Sequence, residues 1–505
     1  MTNSRTKNAT LNVIFALLLQ VVTFLRGLIL PRIIIPTYGS DINGLVSSIS
    51  QFLTYISLLE AGVGSIFRTS LYKPLANGDV EGTSGIINEQ KRFYRKIGLI
   101  FVFYVAALCF IYPLVAKTDA GKPYVVSLIL ILSVSTFAEY FFSLPYVSLL
   151  SADQKVRISY MVSIVYSIVN IVVSLFWVSL KADIRLIYLS MSIIGLLRPL
   201  FYTLYVKKHY ALNKKAPCNA EALKQRWNGM VHHFAFYIHT NTDSTILTLF
   251  INTATVSVYN VYNSLICGVY GIILSVSNSV SAGIGNLLIT GDREQIKRTV
   301  DVYELVQAGL TTVLYTITAL MLIPFVRIYT AKMTDMEYKQ PLFGYILIVA
   351  GALYCFRCIY STISTNAGKF KETQLGAVLE CVTNLSLSLV LVLVAKMGLL
   401  GVAVGTVVGM LVRYIFEILF LSKNVLNRPV VKALKMLLTS IGIAALSVAL
   451  CRYFLPYDAI NSMPMWVAFA CVSAAVTLLV AMAGYIAIYY KTVTQLLRKV
   501  LRKKG

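Results

Sequence analysis

Fourteen predominantly apolar stretches recur along the chain, at roughly 10–35, 42–67, 97–115, 124–150, 158–180, 184–206, 229–251, 255–288, 302–325, 341–363, 374–395, 398–421, 434–455 and 463–490. A helix needs about 20 such residues to cross the hydrocarbon core. A barrel strand would alternate apolar and polar positions over only about ten. These runs are long and uniformly apolar, so they predict helices. The polar segments between them are short, the longest at about 68–96 and 207–228, and none holds a sizeable soluble domain. The pattern predicts an all-α membrane protein of about 14 transmembrane helices.

Sliding the chain on itself by 213 to 215 residues brings out a weak internal repeat. Asn77-Gly78-Asp79 falls on Thr290-Gly291-Asp292. Tyr146, Lys155 and Arg157 fall on Tyr360, Lys369 and Lys371, Arg198 and Lys208 on Arg413 and Lys423, and Arg26 on His239. A unit of six helices enters the membrane twice in one orientation, so the halves should be related by a pseudo-two-fold axis along the membrane normal. The expected organisation is an N-lobe (1–210, helices 1–6), a C-lobe (211–428, helices 7–12), and helices 13–14 with a basic tail (429–505). Transporters built this way bind their substrates between the halves, near mid-membrane.

Composition sharpens this picture. With 505 residues, 57% hydrophobic and 13% charged, and a mean hydropathy of +0.74, the chain is neither a soluble enzyme nor disordered. Its net charge of +24 is unevenly placed: with the N-terminus inside, the inside segments carry 31 Lys/Arg and the outside loops 10. That asymmetry puts both termini in the cytoplasm and the basic surplus against anionic membrane lipids, not nucleic acid. The first apolar run is too long for a cleavable signal and lacks a cleavage pattern, so it is expected to stay as a helix. The eight cysteines fall mostly within helices and imply no disulfide framework. Cys355-Phe-Arg-Cys358 has metal-ligand spacing but no second Cys/His pair near it, so no metal or other cofactor is expected. There is neither a G-x-x-x-x-G-K-[ST] phosphate loop nor a catalytic motif, which argues against an enzyme.

Chemistry concentrates in charges at membrane depth. Arg26 stands alone in Leu11 to Leu30, where an arginine costs about 2.5–3.5 kcal/mol unless it faces a bundle interior or wet cavity. Asp41 follows after a turn and Glu60 lies within SLLEAGVGS. The three suit a cationic cavity for an anionic headgroup, or else an arginine–acid pair pinning helices 1 and 2. His239 and Asp243 are i,i+4 neighbours that suit a coupling proton, or alternatively polar packing. Tyr259, Asn263 and Tyr270 share a near-helical spacing fit for sugar rings, among 32 tyrosines in all. Glu139, Arg357 and Glu380 are ligand contacts or interhelical pairs, and Arg413 and Glu417, i,i+4, should satisfy each other. Gly401, Gly405 and Gly409 form a small-xxx-small row for close helix packing. Residues 80–96 read as an amphipathic interfacial helix and the basic tail Lys491 to Lys504 as surface-lying.

The stretch Tyr38 to Asp79, with Arg26 before it and SADQKVR (Ser151 to Arg157) after helix 4, resembles the bacterial O-antigen and capsule-unit flippases. These form the polysaccharide-transporter branch of the multidrug/oligosaccharidyl-lipid/polysaccharide exporter superfamily. The resemblance implies two six-helix lobes, alternating access, and a cationic cavity for the pyrophosphate of an undecaprenyl-linked oligosaccharide. It also implies a place in the bacterial inner membrane, in cell-surface polysaccharide biosynthesis, beside polysaccharide polymerase and glycosyltransferases. Arg26 and Asp41 further resemble an arginine and aspartate of the peptidoglycan-precursor flippases, which carry another arginine in helix 8, where this chain has no charge from 255 to 288. The alternative is a cation-coupled multidrug antiporter of the same fold.

Overall fold

The computed structural model describes residues 2–60, 63–217 and 230–502. Side chains are described over the same ranges except at 2–9, 230–233, 235, 236, 239, 240, 278–283, 286, 289, 290, 293, 370 and 497–502. The chain divides into two compact units, Met1–Asn260 and Val261–Gly505. The first holds α1 (Thr2–Thr54), α2 (Val63–Asn77), α3 (Val80–Val115), α4 (Lys122–Ala138), α5 (Leu144–Ala152), α6 (Arg157–Ser179), α7 (Ile184–His209), α8 (Met230–Ile246) and the start of α9 (Thr253–Thr290). The second holds the rest of α9, then α10 (Arg293–Tyr329), α11 (Pro341–Asn366), α12 (Phe370–Leu393), α13 (Leu399–Asn424), α14 (Val431–Phe454) and α15 (Met463–Arg502). Among the described residues there is no strand.

Among the described residues, twelve helical stretches are long and apolar enough to cross a membrane. The first of them breaks at Gly39, whose φ of 87° and ψ of 162° no helix accepts. Splitting it there and adding α8 gives the fourteen crossings expected from the hydropathy pattern. The chain is a multi-pass membrane protein, and its surface shows why: Phe103, Phe110 and Val394 are more than three-quarters exposed. Gln90, Asn170, Asn384 and Glu417 are instead buried. Apolar groups face lipid because bilayer tails, unlike water, do not penalise them, and polar groups are kept out of the hydrocarbon by turning inward.

The repeat is written into the turns. Asp79 caps α3 by accepting from the Gly82 N–H at 2.8 Å, and Asp292 caps α10 by accepting from the Gln295 N–H at 2.6 Å. The turn closing α5 sends the Lys155 N–H to the Leu150 carbonyl (2.8 Å), and the turn closing α11 sends Lys369 N–H to Ser364 (3.0 Å). In these two turns Gln154 and Gly368 hold the left-handed position, at φ 57° and 69°. This is the reversed final turn that satisfies a helix's last carbonyls. Lys181 and Lys396 adopt φ of 50° and 53° after α6 and α12. The break at Gly39 has its counterpart in Asn252, extended at φ −168° between α8 and α9.

One expectation changes. Residues 80–96 are not a separate interfacial helix but the first part of the continuous α3. Thr83, Ser84, Gly85, Ile86, Ile87 and Gln90 are buried there. The side-chain amide of Asn88 donates to the carbonyls of Asn213, Lys214 and Ala216 at 3.1, 3.3 and 3.1 Å, and the Asn213 N–H donates to Ser84 Oγ at 2.9 Å. The polar stripe that suggests a lipid surface in fact receives the segment after α7. In the second unit the glycine row does bring helices together: a Cβ on Gly405 would lie 2.9 Å from the Ser388 backbone nitrogen and one on Gly409 3.0 Å from the Glu380 carbonyl, so α13 sits directly on α12.

Candidate functional site

Four arginines lie deep within apolar stretches, Arg26, Arg198, Arg357 and Arg413, and they are not equivalent. Arg198 on α7 pairs with Glu139 at 2.5 Å. Arg413 on α13 pairs with Glu417 at 2.6 Å, as the i,i+4 spacing predicts. Arg357 on α11 reaches Glu417 at 3.4 Å and Glu380 at 3.9 Å. Arg26, partly buried on α1, has no carboxylate within ion-pair distance among the described residues. Its guanidinium lies 5.9 Å from the centre of the Tyr166 ring on α6, a ring it shares with Arg198 at 4.9 Å. Such a ring contact gives roughly 0.5–2 kcal/mol, less than the cost of an arginine at this depth. Arg26 is thus left positive, next to a second arginine whose charge is already taken.

Glu139 opens a π-helical turn, Glu139–Ser143, between α4 and α5. Tyr140, in the same turn, and Tyr94 on α3 both give their hydroxyls to Glu60, Tyr94 at 2.9 Å. Asp41 sits two residues past the break at Gly39. One of its oxygens accepts from the Thr118 hydroxyl at 2.7 Å and the Asp119 N–H at 3.1 Å, and the other from the Thr253 hydroxyl. Asp41 therefore ties the second arm of α1 to the α3–α4 loop and to the first residue of α9. Neither acid pairs with Arg26, so the pin between helices 1 and 2 is not made by these three residues.

A ladder of polar contacts, unread in the sequence, runs between the second arm of α1 and α8–α9. Asn43 donates to Ser257 at 2.7 Å, Ser48 meets Thr248 at 2.6 Å, Gln51 donates to Asn241, and Tyr55 meets Thr245 at 2.6 Å. The signal was available: Ser48, Gln51 and Tyr55, and opposite them Asn241, Thr245 and Thr248, recur at three- and four-residue steps. This ladder is why α8 packs with the first unit.

Asp243 on α8 is buried and accepts the Tyr259 hydroxyl at 3.1 Å, so two residues singled out for different roles meet in one contact. Tyr259 is itself buried, at 5% exposure, and does not present its ring to a cavity as a free stacking face. The side chain of His239 lies outside the described residues, and with it the His239–Asp243 pair. Asn263 accepts from the Cys267 thiol at 3.4 Å on its own helix. Tyr270 packs its ring 5.3 Å from that of Tyr354 on α11, the aromatic neighbour of Arg357.

The second unit also holds charges missed in the sequence because they read as loop residues. Arg428, after α13, bonds to Glu304 at 2.7 Å and Asp301 at 3.0 Å on α10. Lys432 joins the same Asp301. Both cations leave the start of α14 anchored to α10.

No protein-family profile and no curated protein matches the sequence. Solved structures do. The chain is similar to the lipid II flippase MurJ in an inward closed conformation, with a TM-score of 0.72 at 15% identity over 96% of this chain and 100% of that one. It is similar to an inward-facing multidrug resistance MATE family transporter of the MOP superfamily, with a TM-score of 0.65 at 14% identity over 81% and 98%. A MOP superfamily transporter from Pyrococcus furiosus gives 0.60 at 14% over 83% and 96%. The fold of this chain, with its six-helix repeat and two further helices, is the fold of the MOP-superfamily transporters.

Proposed function

We propose that the chain is a flippase that moves an undecaprenyl-diphosphate-linked oligosaccharide unit from the cytoplasmic to the periplasmic leaflet of a bacterial inner membrane. It would work by alternating access, in cell-surface polysaccharide biosynthesis. The observation that carries this reading is Arg26: Arg198, Arg357 and Arg413, likewise deep in apolar stretches, have glutamate partners and this one, among the described residues, has none. A diphosphate supplies the missing counter-charge, and a drug cation does not. Likeness to a lipid II flippase over nearly the whole chain supports a lipid-linked substrate. In this reading the lobes are 1–210 and 211–428, with 429–505 added, and both termini are cytoplasmic. Arg26 holds the diphosphate, Asp41 and Glu60 set the conformational balance around it, and His239 and Asp243 carry the coupling ion. Asn263, Tyr270 and Arg357 serve the sugar side, and Tyr259, whose hydroxyl is given to Asp243, acts with the coupling group instead. A polysaccharide polymerase and glycosyltransferases are the expected partners.

A second reading, a cation-coupled multidrug antiporter, draws on the buried acid Asp243 and on the MATE likeness. Purified protein in proteoliposomes separates the two. With a fluorescent polyprenyl-diphosphate sugar as probe, Arg26→Ala should slow translocation at least tenfold and Arg26→Lys should recover part of it. Wild-type rates in Arg26→Ala would end the flippase assignment. Gradient-driven drug uptake lost in Asp243→Asn but kept in Arg26→Ala would establish the antiporter.

A further inference from the structure

The second unit contains a cavity of about 230 Å³ between α9 and α11, lined by Leu274, Ser277, Tyr354, Arg357, Cys358, Ser361, Thr362 and Thr365. We propose that it is a subsite for one neutral sugar ring. The proposal rests on the flippase reading for the identity of the larger molecule, and on the cavity itself for the chemistry.

Size comes first. The space is several times the ~30 Å³ share of a water and below the ~300 Å³ at which drug-sized pockets begin, which is the class of a single pyranose. Charge comes next. Arg357 lines the cavity, but Glu380 and Glu417 face it from behind and Arg413 shares Glu417. Two arginines and two glutamates leave the cluster neutral, so a phosphate gains no net attraction there. What the guanidinium offers is a fixed polar wall, its outer nitrogens directed to Glu417 at 3.4 Å and Glu380 at 3.9 Å. Acceptors stand along the same helix. Thr362 gives its hydroxyl hydrogen to the Cys358 carbonyl at 2.9 Å and Thr365 gives its own to Ser361 at 2.8 Å, which leaves the oxygen lone pairs for a guest. Sugar hydroxyls both donate and accept, so they match such a set.

An aromatic wall completes the site. Tyr354 lines the cavity with the Arg357 guanidinium 5.1 Å and the Tyr270 ring 5.3 Å from its centre, contacts that limit how its ring can turn. Aromatic faces receive the apolar C–H side of a ring while its hydroxyls bond at the rim. Tyr270 thereby acts as the support of Tyr354. A smaller, largely apolar space of about 20 Å³ shares Ser277 and Thr362 with it and reaches Gln307.

The test uses the full chain purified in lipid nanodiscs, with a panel of methyl hexopyranosides and methyl N-acetylhexosaminides as probes and inorganic phosphate as the charged control. At least one glycoside should raise the melting temperature saturably by ~50 mM, where a Kd near 5 mM is about tenfold exceeded. Thr362→Val should weaken that glycoside about tenfold, and Ser361→Phe, which fills the space, should abolish the shift. Stabilisation by phosphate instead, or no glycoside shift in the folded wild type, overturns the proposal. Should Ser361→Phe fail to fold, Thr362→Val alone decides, and an unweakened glycoside there counts against the site. Transport then parts this idea from the flippase reading. Ser361→Phe should slow a sugar-bearing polyprenyl diphosphate and leave a sugar-free one unaffected. Glycoside binding with neither lipid moved would sink the flippase and leave the subsite. Both lipids moved at wild-type rates by Ser361→Phe would do the reverse.

Discussion

A methyl group on Gly44 would overlap the backbone carbonyl oxygen of Thr253: the second arm of α1 and the start of α9 meet backbone to backbone. Gly44→Ala must push the two helices apart and strain the ladder from Asn43 to Tyr55, a loss of about 1–3 kcal/mol by the usual scale of overpacking. Thermal melts followed by size-exclusion chromatography would show a lower melting temperature. Gly442 on α14, with nothing within 4 Å of its missing Cβ, is the control. Alanine there should be neutral or stabilising, since it favours the helix by up to about 1 kcal/mol.

Glu417 serves two buried arginines at once. Glu417→Gln leaves Arg357 and Arg413 with Glu380 as the one carboxylate within ion-pair distance among the described residues, and an uncompensated buried charge destabilises by about 3–5 kcal/mol. The variant should melt markedly lower than wild type, while Glu294→Gln, on an exposed residue of α10, should not. Equal melting of the two variants would mean that the buried cluster carries no net stability.

Gln154 and Gly368 occupy the same left-handed position of the same turn, one residue suited to it and one not. Gln154→Gly should therefore raise the melting temperature and Gly368→Gln lower it, each by the equivalent of about 1 kcal/mol. Opposite signs for reciprocal substitutions at matched positions would be hard to obtain from anything but the backbone angle.

At the start of α7, the Arg185 side chain grips Asp183 at 2.7 and 3.1 Å and holds its carboxyl below the ordinary value, against a smaller opposing effect of burial. A depressed folded value contributes stability above the unfolded pKa of about 3.9, and that contribution is lost as pH falls through the lower folded value. Asp183→Asn keeps the helix cap but not the charge. The melting-temperature gap between wild type and Asp183→Asn should be constant above pH ~4 and close below it.

The crossings and the repeat were legible because the bilayer enforces them: about twenty apolar residues per span, and no unsatisfied backbone in lipid. Arg413–Glu417 was legible because both lie on one helix at a fixed step. Arg198–Glu139 and Tyr259–Asp243 were not, since each depends on how two helices are rotated against each other, which an apolar pattern leaves open. Residues 80–96 misled for a related reason. A polar stripe beside an apolar one looks the same whether it meets lipid headgroups or, as at Asn88, another part of the chain. Arg26 stood out in the sequence, and the structure adds the contrast with its three paired counterparts.

The π-helical turn at Glu139–Ser143 sends the Leu144 N–H to the Glu139 carbonyl, five residues back, where an α-helix would use four. It holds one residue more than the helix needs. Deleting any one of residues 140–143 would remove that surplus and leave the two sides in phase, whereas straightening the turn into α-helix with every residue kept would swing one side by about 100° relative to the other. Glu139 could then face Arg198, or Leu149 and Leu150 could face the core, but not both. The Arg198–Glu139 pair and the packing of Leu149 and Leu150 thus hold together only while this turn keeps its wider form.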